Sequence, residues 1–360
     1  MCLSAITNTF MLLSCVLLTL GLSSNGRADR FVKVADFPNY ATWGAANWNG
    51  RIYVGFYTEP HGKDLPLYRN GVNDDKFTFV RNLGSGESMP EIFVSPDGST
   101  LHATTEGYSG TRQSPGMHWW TTDSAQALDW KSESFSQKTE YRWGIASYVH
   151  DKDMFMAFSG GKVGAKVLKH ENGTWKQFGP LVTPDGNCIV LELKMFKGRF
   201  YAAGGTILYQ RPDCARIFRL NASSEKWESV FPHKDGLIGC AAVFDGKLWV
   251  GTVWGTKIYC SSNGTDWDVA YDFKMKGSWP GPDAMIVYKN KLYVASGDSD
   301  KHIKIAACPA GGRFSEVFSS DQYRTIGQFV VRGSDLYALG GKTGGGGMAL
   351  KLVSDPAEKP

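Results

Sequence analysis

The dipeptide Tyr-Arg stands at matching places in two copies of a repeat, at Tyr141-Arg142 and Tyr323-Arg324, and Arg112 adds a third arginine in a comparable loop. A planar guanidinium grips a carboxylate through two parallel hydrogen bonds, so three arginines at one place would hold a carboxylate-bearing ligand. Once such a charge is neutralised, Tyr141, Tyr323 or the loop histidine His61, which follows Glu59 by two residues, has the chemistry to move a proton. Glu106 offers a carboxylate and Lys342 a further cation, while Trp43, Trp143, Trp254 and Trp279 offer flat faces on which a ring ligand can stack. Each group also has a plainer use. The arginines suit rim ion pairs with Glu87, Glu106 or Asp321, a loop histidine suits solvent, and an aromatic near the end of a strand suits a wedge between layers.

What must position these residues is a repeat. The run Leu248-Trp249-Val250-Gly251 has counterparts beginning at Ile52, Leu101, Met154, Phe200, Leu292 and Leu336, so successive copies start 44 to 53 residues apart. Around Leu248, four short apolar or alternating runs are separated by turn signals such as Asp245-Gly246 and Asn263-Gly264, which reads as a four-stranded meander. A four-stranded propeller blade takes about 40–50 residues, and no copy carries the 3.6-residue periodicity a helical solenoid needs. The expected fold is therefore all-β, a seven-bladed β-propeller of four-stranded antiparallel blades. Phe31-Val32-Lys33-Val34-Ala35-Asp36-Phe37 has the pattern of an outer strand before any inner strand has appeared, whereas Ala349 to Val353 resembles a third strand with no fourth after it. The N-terminal strand should complete the last blade and close the ring, leaving no open edge there.

Meander order puts the loops leading into inner strands on one face with the loops between second and third strands. That top face carries the long loops and every candidate residue above; tight turns such as Asn49-Gly50 and Lys197-Gly198 occupy the other. Phe10 to Leu22 is an apolar run of thirteen, too short for a comfortable membrane span, and with Ala28 as a cleavage position residues 1–28 read as a secretory signal peptide. The remaining 29–360 reads as one domain, exported and monomeric. A net charge of +4 without a basic cluster gives no reason to expect a nucleic-acid partner, and no second apolar stretch is long enough to span a membrane. Of five cysteines beyond residue 28, Cys188 and Cys214 fall on loops of the same face of one blade and are the expected pair. No cysteine spacing reads as a zinc site, Asp298-Ser299-Asp300 is too sparse for calcium, and Gly340-Gly341-Lys342-Thr343 lacks the first glycine of a phosphate loop. No metal or other cofactor is expected. Three Asn-x-Ser/Thr sites begin at Asn172, Asn221 and Asn263, all on turns between third and fourth strands.

Ser261-Ser262-Asn263-Gly264-Thr265-Asp266-Trp267 resembles a shortened Asp-box, the Ser-x-Asp-x-Gly-x-x-Trp turn of sialidase-like (BNR-repeat) propellers, with weaker echoes at Asn70-Gly71, Asp123, Asn172-Gly173-Thr174-Trp175 and Gly311-Gly312. The Asp is mostly missing, and sialidases typically have six blades. Within that superfamily an arginine triad grips a sugar carboxylate, which implies the same role for Arg112, Arg142 and Arg324. The resemblance implies a secreted carbohydrate-active propeller whose partner is an acidic oligo- or polysaccharide containing uronate or sialate. Lyase, glycosidase and non-catalytic binding through the top face all remain open on these residues.

Overall fold

The computed structural model describes residues 29–37, 40–58, 63–86, 88–106, 117–134, 143–159, 164–183, 188–206, 215–233, 235–277, 280–298, 302–343 and 345–354. They form seven four-stranded antiparallel sheets, six of them ordered along the chain from inner to outer strand. The blades span 40–86, 92–134, 143–177, 188–229, 237–272, 281–320 and 323–354, the last completed by Asp29–Phe37 pairing antiparallel with Gly347–Ser354. No helix among the described residues is long and apolar enough to cross a membrane.

The core lies between blades and not within them. Seven apolar clusters each straddle one seam, as where Tyr53 of blade 1 packs with Met89 and Ile92 of blade 2, or Tyr337 of blade 7 with Ala45 and Val54 of blade 1. The cause is the repeat itself, because its second-strand aromatic points across the seam: Tyr53, Tyr201, Tyr293 and Tyr337 are at most 2% exposed, and Trp249 5%. Burying one such side chain stabilises by roughly 1.5–3 kcal/mol.

Two local devices hold the frame. At the ring closure, Arg332 of blade 7 donates to the carbonyls of Gly71 (3.0 Å) and Asp74 (2.7 Å) and to the Asp75 carboxylate (2.6 Å) of blade 1. Tyr337 and Lys351 reach the same carboxylate. At the turn of blade 5, Asn263 Oδ1 accepts the N–H groups of Thr265 and Asp266, Gly264 N–H donates to Ser261 Oγ, and Trp267 Nε1 donates to the Val230 carbonyl. Gly264 has φ +82°, and a Cβ there would run into the Tyr201 hydroxyl, so glycine is required on both counts.

Six inner strands also carry a register shift near their centre, between Thr42 and Ala45 in blade 1, Val190 and Glu192 in blade 4, and Pro282 and Ala284 in blade 6, for example. A bulge turns one residue out of the pleat. On the innermost strand of a ring, that residue is turned to the axis or to the neighbouring blade.

Candidate functional site

The mouth is best built from blade 1. Its bulge presents Trp43, 42% exposed although it sits on the innermost strand. The indole lies against Tyr57, from the top end of the second strand, with ring centroids 5.8 Å apart and planes inclined by 35°. Trp43 has room to turn outward because Gly44 behind it passes hard against blade 2: a Cβ would stand 2.8 Å from the carbonyl oxygens of Met89 and Pro90, and the Gly44 N–H donates to the former at 3.2 Å. Tyr57 is tied in turn to Ser88, and Ser88 to Glu106, by single antiparallel bridges. The Glu106 carboxylate accepts the Ser88 hydroxyl at 2.7 Å and is 5% exposed.

Blade 7 brings Arg324 to the same seam. Its Nε lies 3.2 Å from where a Cβ on Gly341 would stand, and the Ala41 methyl, two residues before Trp43, lies 3.4 Å from that point. Arg324 is half-buried, and Gly341 leaves the space its side chain uses. Arg324 thus reaches the seam at Ala41, on the strand that carries Trp43 and opposite Tyr57 in the ladder.

The other described candidates go elsewhere. Tyr323 is 7% exposed and stacks on Phe318 (6.4 Å, 25°) within the core between blades 6 and 7, and that burial pushes its hydroxyl pKa up. Lys342, its ladder partner, reaches outward to Asp36 at 3.3 Å. Trp254 is half-buried against Ile189, Leu191, Leu237 and Val253, an apolar lip formed by blades 4 and 5. Trp143 opens the inner strand of blade 3, but its side chain is outside the described part. His61, Arg112, Tyr141, Arg142, Trp279, Glu87 and Cys214 lie outside the described residues. Cys188 is buried at the start of its inner strand.

At the level of these bulges, the inner strands carry charged groups that the repeat pattern did not single out. Glu91 of blade 2 accepts the Ser147 hydroxyl of blade 3 at 2.6 Å, Asp283 of blade 6 accepts that of Thr325 of blade 7 at 3.2 Å, and Lys194 pairs with Glu192 at 2.5 Å. Glu91 and Asp283 keep partial accessibility through the channel, yet protein surrounds them and disfavours their charge. Burial pushes Glu91 up to about 8, helped by Glu192, and Asp283 up to about 7. The nearby Cys240 thiol is raised well above its ordinary value, chiefly by burial. A signal was present in the sequence, since Glu91, Glu192 and Asp283 interrupt stretches otherwise small or apolar. It becomes meaningful only once those stretches are known to face one axis.

His102 has a structural place. It is stacked between Phe93 and Trp119, and its Nδ1 accepts the Trp119 N–H at 3.1 Å. Among the described residues no group of three or more His, Cys, Asp or Glu side chains is arranged to hold a metal ion. Compared with models of known protein families and with curated proteins, the chain matches none.

Proposed function

We propose that the protein binds an acidic glycan, of uronate or sialate type, at the corner of the channel mouth between blades 7 and 1. The observation that carries this reading is the exposed Trp43 against Tyr57 with Arg324 on the same seam. The apolar face of a sugar ring stacks on an indole, and a guanidinium beside it takes the ring's carboxylate. Binding is favoured over lyase or glycosidase turnover by where the described acid and base candidates lie. Glu106 is sealed and bonded to Ser88, and Tyr323 is packed under Phe318, so neither reaches a ligand at the mouth.

Kinship with the Asp-box propellers belongs to the same proposal. The blade 5 turn supports it, with Asn263 supplying the acceptor oxygen an Asp would supply and Trp267 anchoring the turn to the seam. So does export, for which the support is the apolar run before residue 28.

The test is to present uronate-rich, sialylated and neutral glycans to the wild type, Trp43→Ala and Arg324→Ala, reading retention, ultraviolet absorbance and reducing ends together. A lost charge-assisted hydrogen bond is worth about 1.5–3 kcal/mol, so Arg324→Ala should weaken binding of acidic glycans roughly 10- to 100-fold. New absorbance would mean β-elimination, and reducing ends without it hydrolysis; either replaces binding by turnover. Equal retention of acidic and neutral glycans, or none at all, overturns the proposal.

A further inference from the structure

On the rim of blade 6, away from the channel, three side chains are joined in a chain of hydrogen bonds. Ser319 is exposed on the outer strand Ser315–Ser320, Asp321 follows that strand, and His302 immediately precedes the neighbouring strand Ile303–Pro309. The ladder pairs Lys304 with Ser319 and Ile303 with Ser320, which brings His302 beside Asp321 and diagonal to Ser319. Ser319 and Asp321, two residues apart on an extended segment, present their side chains to the same side.

The imidazole lies between them. His302 Nδ1 is hydrogen-bonded to Asp321 Oδ1, and His302 Nε2 is 3.3 Å from Ser319 Oγ. An ionised carboxylate only accepts, so Nδ1 carries the proton and Nε2 turns its lone pair to the serine hydroxyl. The backbone of His302 is fixed by exchange with Asp298: its N–H donates to Asp298 Oδ1 (2.9 Å), and its carbonyl accepts the Asp298 N–H (3.1 Å). The Asp321 carbonyl accepts the Thr343 hydroxyl (3.2 Å). Lys304, opposite Ser319, directs its ammonium to Glu316 at 3.1 Å, away from the imidazole. Nucleophile, base and orienting carboxylate therefore stand in the order that acyl-transfer chemistry requires, and neither the binding corner nor the channel uses them.

We propose that Ser319, His302 and Asp321 form a second site that hydrolyses carboxylic esters, independently of the glycan reading. Ser319 Oγ attacks the ester carbonyl carbon and gives its proton to His302 Nε2. The carbon–alkoxy bond then breaks, and the alcohol leaves with that proton. Water adds to the acyl-serine and loses a proton to Nε2, the carboxylic acid departs, and Ser319 recovers its hydrogen. Ester and water become acid and alcohol, with Asp321 holding the imidazole in the productive tautomer throughout.

The experiment uses the whole chain with two probes: a fluorophosphonate, whose P–F bond breaks as Oγ–P forms, and the 4-nitrophenyl esters of short acids. Expected is stoichiometric label mapped by peptide mass to Ser319, absent from Ser319→Ala and at least tenfold slower in His302→Gln and Asp321→Asn, with ester hydrolysis falling in parallel. Ser319 and Asp321 are exposed, so unchanged circular dichroism and melting temperature should accompany their loss. Labelling of Ser319 no faster than in the urea-denatured chain, or at wild-type rate in His302→Gln, overturns the proposal. So does ester hydrolysis that survives in Ser319→Ala.

Discussion

Replacing Glu91 by Gln should make the protein more stable at alkaline pH and leave it nearly unchanged in mild acid. Glu91 sits between the inner strands of blades 2 and 3, and burial is the largest cause of its raised pKa, from the ordinary 4.5 to about 8. Because the folded-state value lies above the unfolded one, the native state holds this proton more tightly than the unfolded chain does. The contribution is therefore complete below about pH 4.5 and is lost as the pH rises towards 8. At 1.36 kcal/mol per pH unit the full shift sets a ceiling of about 5 kcal/mol; partial accessibility through the channel reduces this to roughly 2–3 kcal/mol. Glutamine keeps an oxygen to accept the Ser147 hydroxyl and carries no charge to desolvate. Thermal unfolding followed by circular dichroism at pH 5 and pH 9 gives the answer. The variant should melt on the order of 3–6 °C above the wild type at pH 9 and within a degree or so of it at pH 5. A variant less stable at both pH values, or a difference that does not change with pH, would show that Glu91 is solvated as an ordinary carboxylate and refute the reasoning.

His102 works in the opposite sense. Burial holds it down to about 4, so stability should be complete above pH 6.5 and fall by about 3 kcal/mol as the pH drops to 4, a loss that shrinks in His102→Gln when urea midpoints are compared at pH 7 and pH 4.5. Arg332→Ala removes the donor to two carbonyls and a carboxylate across the ring closure and should cost about 3 kcal/mol, read as a lowered urea midpoint and faster proteolysis; Arg332→Lys should recover only part of this, since an ammonium cannot fork. Gly44→Ala drives a methyl against two backbone oxygens and should cost roughly 1–3 kcal/mol, with a change in Trp43 fluorescence that Gly50→Ala, on the opposite turn, does not share; identical spectra would mean that Gly44 does not set the pose of Trp43.

Much of the architecture was readable along the chain. The strand period and the aromatic of each second strand are local features, and Trp249 and Tyr293 are buried because every copy meets the next in the same way. The outer-strand pattern at 31–37 was likewise visible before its partner Gly347–Ser354 was known. The site was readable only as a face. Tyr323, Arg324 and Lys342 looked equivalent in sequence, yet one packs into a seam, one reaches the mouth and one pairs with Asp36. Strand alternation separates Tyr323 from Arg324, and the outer strand supplied by the N-terminus, more than 300 residues away in sequence, captures Lys342.

The sequence by itself determined the repeat, its strand count and the side on which long loops collect, because these depend on periodicity and turn chemistry within one blade. Which side chains share a place was decided by the ring alone. Glu91 meets Ser147, Asp283 meets Thr325 and Arg324 approaches Ala41 because seven inner strands converge on one axis, and His302 meets Asp321 and Ser319 because a ladder sets their register. Convergence of that kind is a property of closure in three dimensions, and no spacing along the chain encodes it.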